Sequence, residues 1–162
     1  MVDVDHEDSI LRTFILFTQA SDAVTKYANA HFYRKSSLSI IKFMTLQILS
    51  VNGGTMRPSD IAEWVSRERH DITTLVDRLA RDGLVRTEHS SEDRRTKNVI
   101  LTDKGRSVLA ETTPTARDIV DRVMLSISES DVALLEGLLK TLRQNAHEGL
   151  QDITGRSQPK PE

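Results

Sequence analysis

The chain has 162 residues, with 22 Lys and Arg against 24 Asp and Glu, a formal net charge of −2 and no cysteine. That length suits about one domain with a sizeable core, and the missing cysteines exclude disulfides, thiolate chemistry and cysteine-bound zinc. No apolar run approaches the roughly 20 residues that span a bilayer, and the acidic start MVDVDHEDSI does not read as a secretory leader, so a cytoplasmic protein without a membrane partner is expected.

In chain order, Ile10, Leu11, Phe14, Ile15, Val24, Tyr27 and Ala28 recur at helical spacing and predict a helix from about Ser9 to Arg34. Ser36-Ser37 breaks it. Ser39 caps a second helix that buries Ile41, Met44, Leu46, Ile48 and Leu49, and Asn52-Gly53-Gly54 ends it. Pro58 suits the first position of a third helix, about 58–65, with Asp60 in the turn where the dipole favours an acid. It turns Ile61, Ala62 and Val65 inward, while Trp64 reads as a core or inter-helix packing residue. A fourth helix, about 69–82, sets Ile72, Leu75, Val76 and Leu79 on one face. The short turn before it makes the pair a helix-turn-helix.

Gly83 stops that helix. The apolar pair Leu84-Val85 follows, then a polar loop with Asp93-Arg94-Arg95, then the alternating run Asn98-Val99-Ile100-Leu101. Helix, glycine stop, strand, basic loop and strand together describe a winged helix. Thr102 closes the second strand and opens a helix from 103 toward 124, which Pro114 is expected to kink. Ser128-Glu129-Ser130-Asp131 has the pattern of a capping box before a last helix with Val132, Leu135, Leu138, Leu139 and Leu142. From about Gly149 the tail is polar and expected to be disordered.

The predicted fold is mainly α with a small β-wing. A winged helix-turn-helix at 36–105 is flanked by an N-terminal helix within 1–35 and C-terminal helices within 106–148, ahead of the tail 149–162. The flanking helices carry more apolar residues than the central reader can cover, which points to a homodimer. Two-fold symmetry would place two recognition helices about one DNA turn apart, matching a palindromic site.

Distribution of charge matters more than its sum. Arginines gather between Arg57 and Arg106, yet Asp60, Glu63, Glu68, Asp71, Asp77 and Asp82 offset many of them. On the fourth helix His70, Thr73 and Thr74 face outward and suit contacts with base edges, while Arg57, Ser59 and Arg69 suit phosphates. In the loop, Arg94 and Arg95 beside Lys97 suit a narrow minor groove, with Asp93 pairing a nearby arginine to hold the wing in shape. His31, Tyr33 and Arg34, at the end of the first helix, suit a small aromatic or anionic effector. No phosphate-gripping glycine loop, nucleophile elbow, paired His-Glu motif or metal spacing is present, so neither enzyme chemistry nor a cofactor is expected.

Several stretches stand together: Ser59-Asp60-Ile61-Ala62-Glu63, Thr73-Thr74-Leu75-Val76-Asp77-Arg78-Leu79, Asp82-Gly83-Leu84-Val85, Glu92-Asp93-Arg94-Arg95 and Leu101-Thr102-Asp103-Lys104-Gly105. Through them, residues 10–147 resemble the MarR family of bacterial and archaeal transcription regulators. The resemblance implies a homodimer that binds a pseudo-palindromic operator in double-stranded DNA and represses transcription. It also implies release by a small phenolic or lipophilic ligand in a cleft between the dimerisation helices and the DNA-binding lobe. The family's wing pair falls on Asp93 and Arg95, and its recognition-helix contacts fall near His70, Thr73 and Thr74. Thr74 stands where many relatives carry Arg. Ser66-Arg67 replaces the usual Gly-apolar turn, as in a subgroup with an arginine-rich turn, and the lack of cysteine removes the family's oxidation sensing. A second reading, favoured by the balanced charge and by Asp71 and Asp77, is a winged-helix module that docks a protein without sequence-specific DNA binding.

Overall fold

The computed structural model describes residues 8–36, 38–65, 69–89 and 97–155, without the side chains of Arg69 and His70. It divides into two compact units, Met1–Val123 and Met124–Glu162.

The first unit opens with α1, Ser9–Lys35, whose first turn is capped by Asp8 Oδ1 accepting from the amides of Ile10 (2.8 Å) and Leu11 (3.2 Å). Ser36 ends it in extended backbone, at the expected break. Helix α2, Ile40–Val51, is capped by Ser39 as its sequence predicts, and Asn29 Oδ1 on α1 accepts from the Ile40 amide at 3.0 Å. One α1 side chain therefore satisfies an orphan donor at the start of α2. Leu46, Ile48 and Leu49 are buried, but Ile41 and Met44 are only half-buried, and the fully buried Thr45 takes an inward place by donating to the Ile41 carbonyl.

Strand β1 is the pair Thr55–Met56, followed by α3, Pro58–Trp64, with proline in the first turn. Ile61 and Ala62 are buried, whereas Trp64 is 41% exposed, so the sequence expectation of a packed tryptophan is corrected. Trp64 is the last residue of this two-turn helix and stands to the side of the direction that Ile61 and Ala62 share, which leaves its indole partly in solvent. Helix α4, Arg69–Arg81, buries Ile72, Val76 and Leu79. It is followed by β2, Val85–His89, β3, Lys97–Leu101, and α5, Asp103–Val123.

The sheet has the order β1-β3-β2 and is antiparallel throughout, with Thr55 opposite Ile100, Val85 opposite Leu101 and His89 opposite Lys97. Val99 and Leu101 are buried on one face of β3, while Asn98 and Ile100, which alternate with them, are only half-buried, the period-two pattern of a strand with one face on the core. Helix α5 runs across Pro114 without interruption; the hydroxyls of Thr112 and Thr113 donate to carbonyls one turn back.

The core joins Ala28 and Phe32 of α1 to Leu46 and Leu49 of α2, Ile61 of α3, Leu79 of α4, Val99 of β3 and Leu109 and Ile119 of α5. Phe32 and Phe43 meet at a ring distance of 5.1 Å and a 34° tilt, within the range of favourable aromatic pairs.

The second unit is α6, Glu129–Thr154, with the turn before it. Ser128 Oγ accepts from the Asp131 amide at 3.2 Å, the N-cap half of the expected capping box, and donates to the Asp131 carboxylate at 2.6 Å, so that the acid meets the serine hydroxyl instead of the serine amide. The helix does not stop near Gly149. It continues through Leu150 and Ile153 to Thr154 and ends on the left-handed Gly155, which corrects the expectation of disorder for residues 149–155. The rest of the expected tail, 156–162, lies outside the described residues.

The tightest packing lies where α5 passes the turn after α4. A Cβ on Gly105 would stand 2.1 Å from the Leu84 carbonyl oxygen and 2.7 Å from Leu101 Cδ1. Backbone cannot yield there as a flexible side chain would. Gly105→Ala is expected to destabilise the fold by about 1–3 kcal/mol or more, read as a lower midpoint in urea unfolding at unchanged slope.

Candidate nucleic-acid interface

Helix α4 is the amphipathic element that defines the site. Its apolar stripe is spent on the core, which leaves Asp71, Thr73, Thr74, Asp77, Arg78 and Arg81 on the exposed side. Thr74, Arg78 and Arg81 lie three or four residues apart, so they share one face of the helix. Arg78 and Arg81 were not singled out from the sequence; the signal was available in their spacing from Thr74. Arg81 Nε donates to the Asp77 carbonyl at 3.5 Å. The backbone of Arg69 and His70 forms the first turn of α4.

Arg57 sits at the N-cap of α3 and is exposed, without a side-chain cap hydrogen bond. Ser59, half-buried two residues on, donates to Asp60 Oδ1 at 3.1 Å. The two wing strands extend from the core to the paired residues His89 and Lys97, both exposed. On β2 Arg86 pairs with Glu88, a neighbour on the same face of the strand. The expected wing residues Asp93, Arg94 and Arg95, and the turn at Ser66-Arg67, lie outside the described residues.

The three residues expected to hold an effector do not share one face. Successive helical residues turn by about 100°, so Tyr33, 66% exposed, lies nearly opposite the half-buried His31. Arg34 is nearer to His31, one turn along. The His31 ring lies 5.7 Å from Tyr27, and its Nε2 is buried without a hydrogen-bond partner. Beside it Lys35 Nζ donates to Asp118 Oδ2 at 2.8 Å, joining the end of α1 to α5. The Lys35 ammonium, with a smaller contribution from His31, holds the Asp118 carboxyl below its usual 3.8. Among the described residues no cluster of His, Asp and Glu is placed to hold a metal ion, and no helix is long and apolar enough to cross a membrane.

A two-helix reader followed by a β-ribbon and packed under a long α5 is a winged helix-turn-helix. Comparison with known proteins agrees. The MarR family model matches residues 38–97. An uncharacterized HTH-type transcriptional regulator of Bacillus subtilis, YfiV, is 32% identical over 75% of this chain and 69% of its own length. The transcriptional regulator BldR of Sulfolobus solfataricus superposes with a TM-score of 0.75 at 31% identity, over 87% of this chain and 99% of that one. A MarR family regulator from Streptomyces coelicolor, solved in complex with DNA, shares the fold with a TM-score of 0.79 at 20% identity, over 89% of this chain and 92% of that one. The chain belongs to the MarR family of transcriptional regulators.

The ion pair between α1 and α5 has a definite pH signature. A carboxyl whose folded pKa is depressed stabilises the fold above its unfolded value, and that contribution is lost as pH falls through the folded value. Asp118→Asn should lower the melting temperature slightly at neutral pH, both partners being about half exposed. The difference from the unsubstituted protein should close as the pH is taken below 3.8, in parallel thermal melts.

Proposed function

We propose that this chain acts as a homodimeric repressor that binds a pseudo-palindromic site in double-stranded DNA. The observation that carries the reading is the division of α4, whose buried Ile72, Val76 and Leu79 fix the helix while Thr73, Thr74 and Arg78 stand outward beside the β-ribbon. His70, Thr73 and Thr74 would meet base edges in the major groove, and Arg57, Ser59, Arg69 and Arg78 would meet phosphates. Asp93, Arg94 and Arg95, with Lys97, would carry the wing into the minor groove. Repression is favoured over activation because occluding a promoter needs only a DNA reader, whereas activation needs a further surface for the polymerase.

The dimer is supported by apolar surface that the chain does not cover itself. On α1, Ile10 and Phe14 are 80% and 57% exposed, and α6 has no buried residue although Leu134, Leu138 and Leu142 lie along it. Surface of this kind on a monomer marks an interaction site. An open groove of about 460 Å³ lies along α6, lined by Met124, Val132, Leu135 and Leu139 with Glu136, Lys140 and Arg143. A small aromatic or anionic effector would bind around His31 and Arg34, where the unpartnered Nε2 offers a hydrogen bond, rather than at Tyr33. Such a regulator works in the cytoplasm, with its DNA.

The test is fluorescence anisotropy on DNA upstream of the chain's own gene, against scrambled DNA, across a salt series. Sequence-preferring binding with a log–log salt slope of about −0.9 per phosphate contacted supports the regulator. Equal weak binding to both duplexes favours the protein-docking reading, which the exposed Asp71 and Asp77 on α4 recommend. Arg95→Ala should weaken operator binding by more than about tenfold and leave the dimer and its melting temperature intact; unchanged affinity would remove the wing from the interface.

A further inference from the structure

The turn that ends α4 is held from three directions. Thr102 Oγ1 shares its proton between the carbonyls of Gly83 (2.8 Å) and Leu84 (3.0 Å), and accepts from the Gly105 amide at 3.0 Å. One hydroxyl thus caps the first turn of α5 and grips the segment leaving α4. Lys104, in the first turn of α5, donates to the Asp82 carbonyl at 2.7 Å, at the end of α4 where the helix dipole is negative. From the other side Lys42 of α2 donates to the Asp82 carboxylate at 2.7 Å, with its side chain only 19% exposed. The Gly105 contact with Leu84 leaves no room for the two segments to slide closer.

We propose that Thr102, seconded by Lys104, is a positioning residue that fixes the angle between the recognition helix and α5, and thereby sets the half-site spacing the dimer accepts. The inference rests on the dimeric DNA-binding reading above. In a two-fold dimer the distance between the two α4 helices depends on how rigidly each is joined to the helices that carry the interface. Helix α5 belongs to that frame, since its Asp118 is tied to Lys35 of α1. Moving a half-site by one base pair shifts it by about 3.4 Å and turns it by about 34°. A rigid joint refuses that change, whereas a loosened one follows it.

The probe is a duplex selected by the unsubstituted protein from a random-sequence pool, together with versions carrying one base pair more or fewer between the half-sites. The unsubstituted protein should lose about tenfold or more in affinity for the altered spacings. Thr102→Val, equal in shape but without the hydroxyl, should cut that loss to about threefold or less, and Thr102→Ser should restore it. A merely structural role would weaken binding to all three duplexes by one common factor. Lys104→Met keeps the apolar stem of an exposed side chain and should relax the spacing in the same direction; it decides the matter if Thr102→Val does not fold. Undiminished spacing discrimination in the folded variants would overturn the inference. Failure of the unsubstituted protein to select any duplex would instead overturn the DNA-binding reading, and this inference with it.

Discussion

The Leu84 carbonyl and the α-carbon of Gly105 lie so close that no side chain fits between them, and the architecture of the first unit depends on this contact. It brings the chain leaving α4 against the chain entering α5, so that Leu84 and Val85 on one side and Leu101 on the other enter the same core. The strands between these points have only one way to go. They run outward as an antiparallel ribbon from the Val85–Leu101 pair to the His89–Lys97 pair. The ribbon is a consequence of that closure: its two strands are fixed to the core at Val85 and Leu101.

Stability and recognition draw on different sides of the same helices. On α4 the inward residues are Ile72, Val76 and Leu79, and the outward ones are the hydroxyls of Thr73 and Thr74, the carboxylates of Asp71 and Asp77 and the long cations Arg78 and Arg81. Short side chains let the backbone of a reading helix come near its target, and the flanking arginines add reach and charge. The core behind is close to saturated, as the zero exposure of Leu46, Leu49, Ile61 and Leu79 indicates. A substitution on the exposed face removes no core contact and so has little leverage on folding.

Much of this was legible in the sequence because the signals are local. Ser39, Pro58, Thr102 and Ser128 mark helix starts by chemistry that acts within one turn, and each marks one in the structure. Strand β1 was not anticipated. Two residues carry no periodicity, and Thr55 and Met56 are a strand only because β3 lies beside them. Trp64 was misjudged because its side depends on which face of a two-turn helix meets the core. The end of α6 was misjudged from composition: polar residues surround Leu150 and Ile153, yet the helical spacing of those two continues the stripe. The candidate site divides in the same way. The outward residues of α4 follow from its periodicity, whereas His31, Tyr33 and Arg34 are adjacent in sequence and diverge on the helix.

The uncovered leucines of α6 and the aromatic residues along α1 also bear on the life of the chain before it reaches any target. A newly made copy carries a water-facing apolar stripe that other unfolded or half-folded chains can adhere to. Whatever covers that stripe acts as a ligand of the folded state and stabilises it according to its concentration. In the proposed homodimer that ligand is a second copy, so the stability of the folded chain would rise with its own concentration. That dependence would come from surface chemistry and be separate from how tightly the dimer holds DNA.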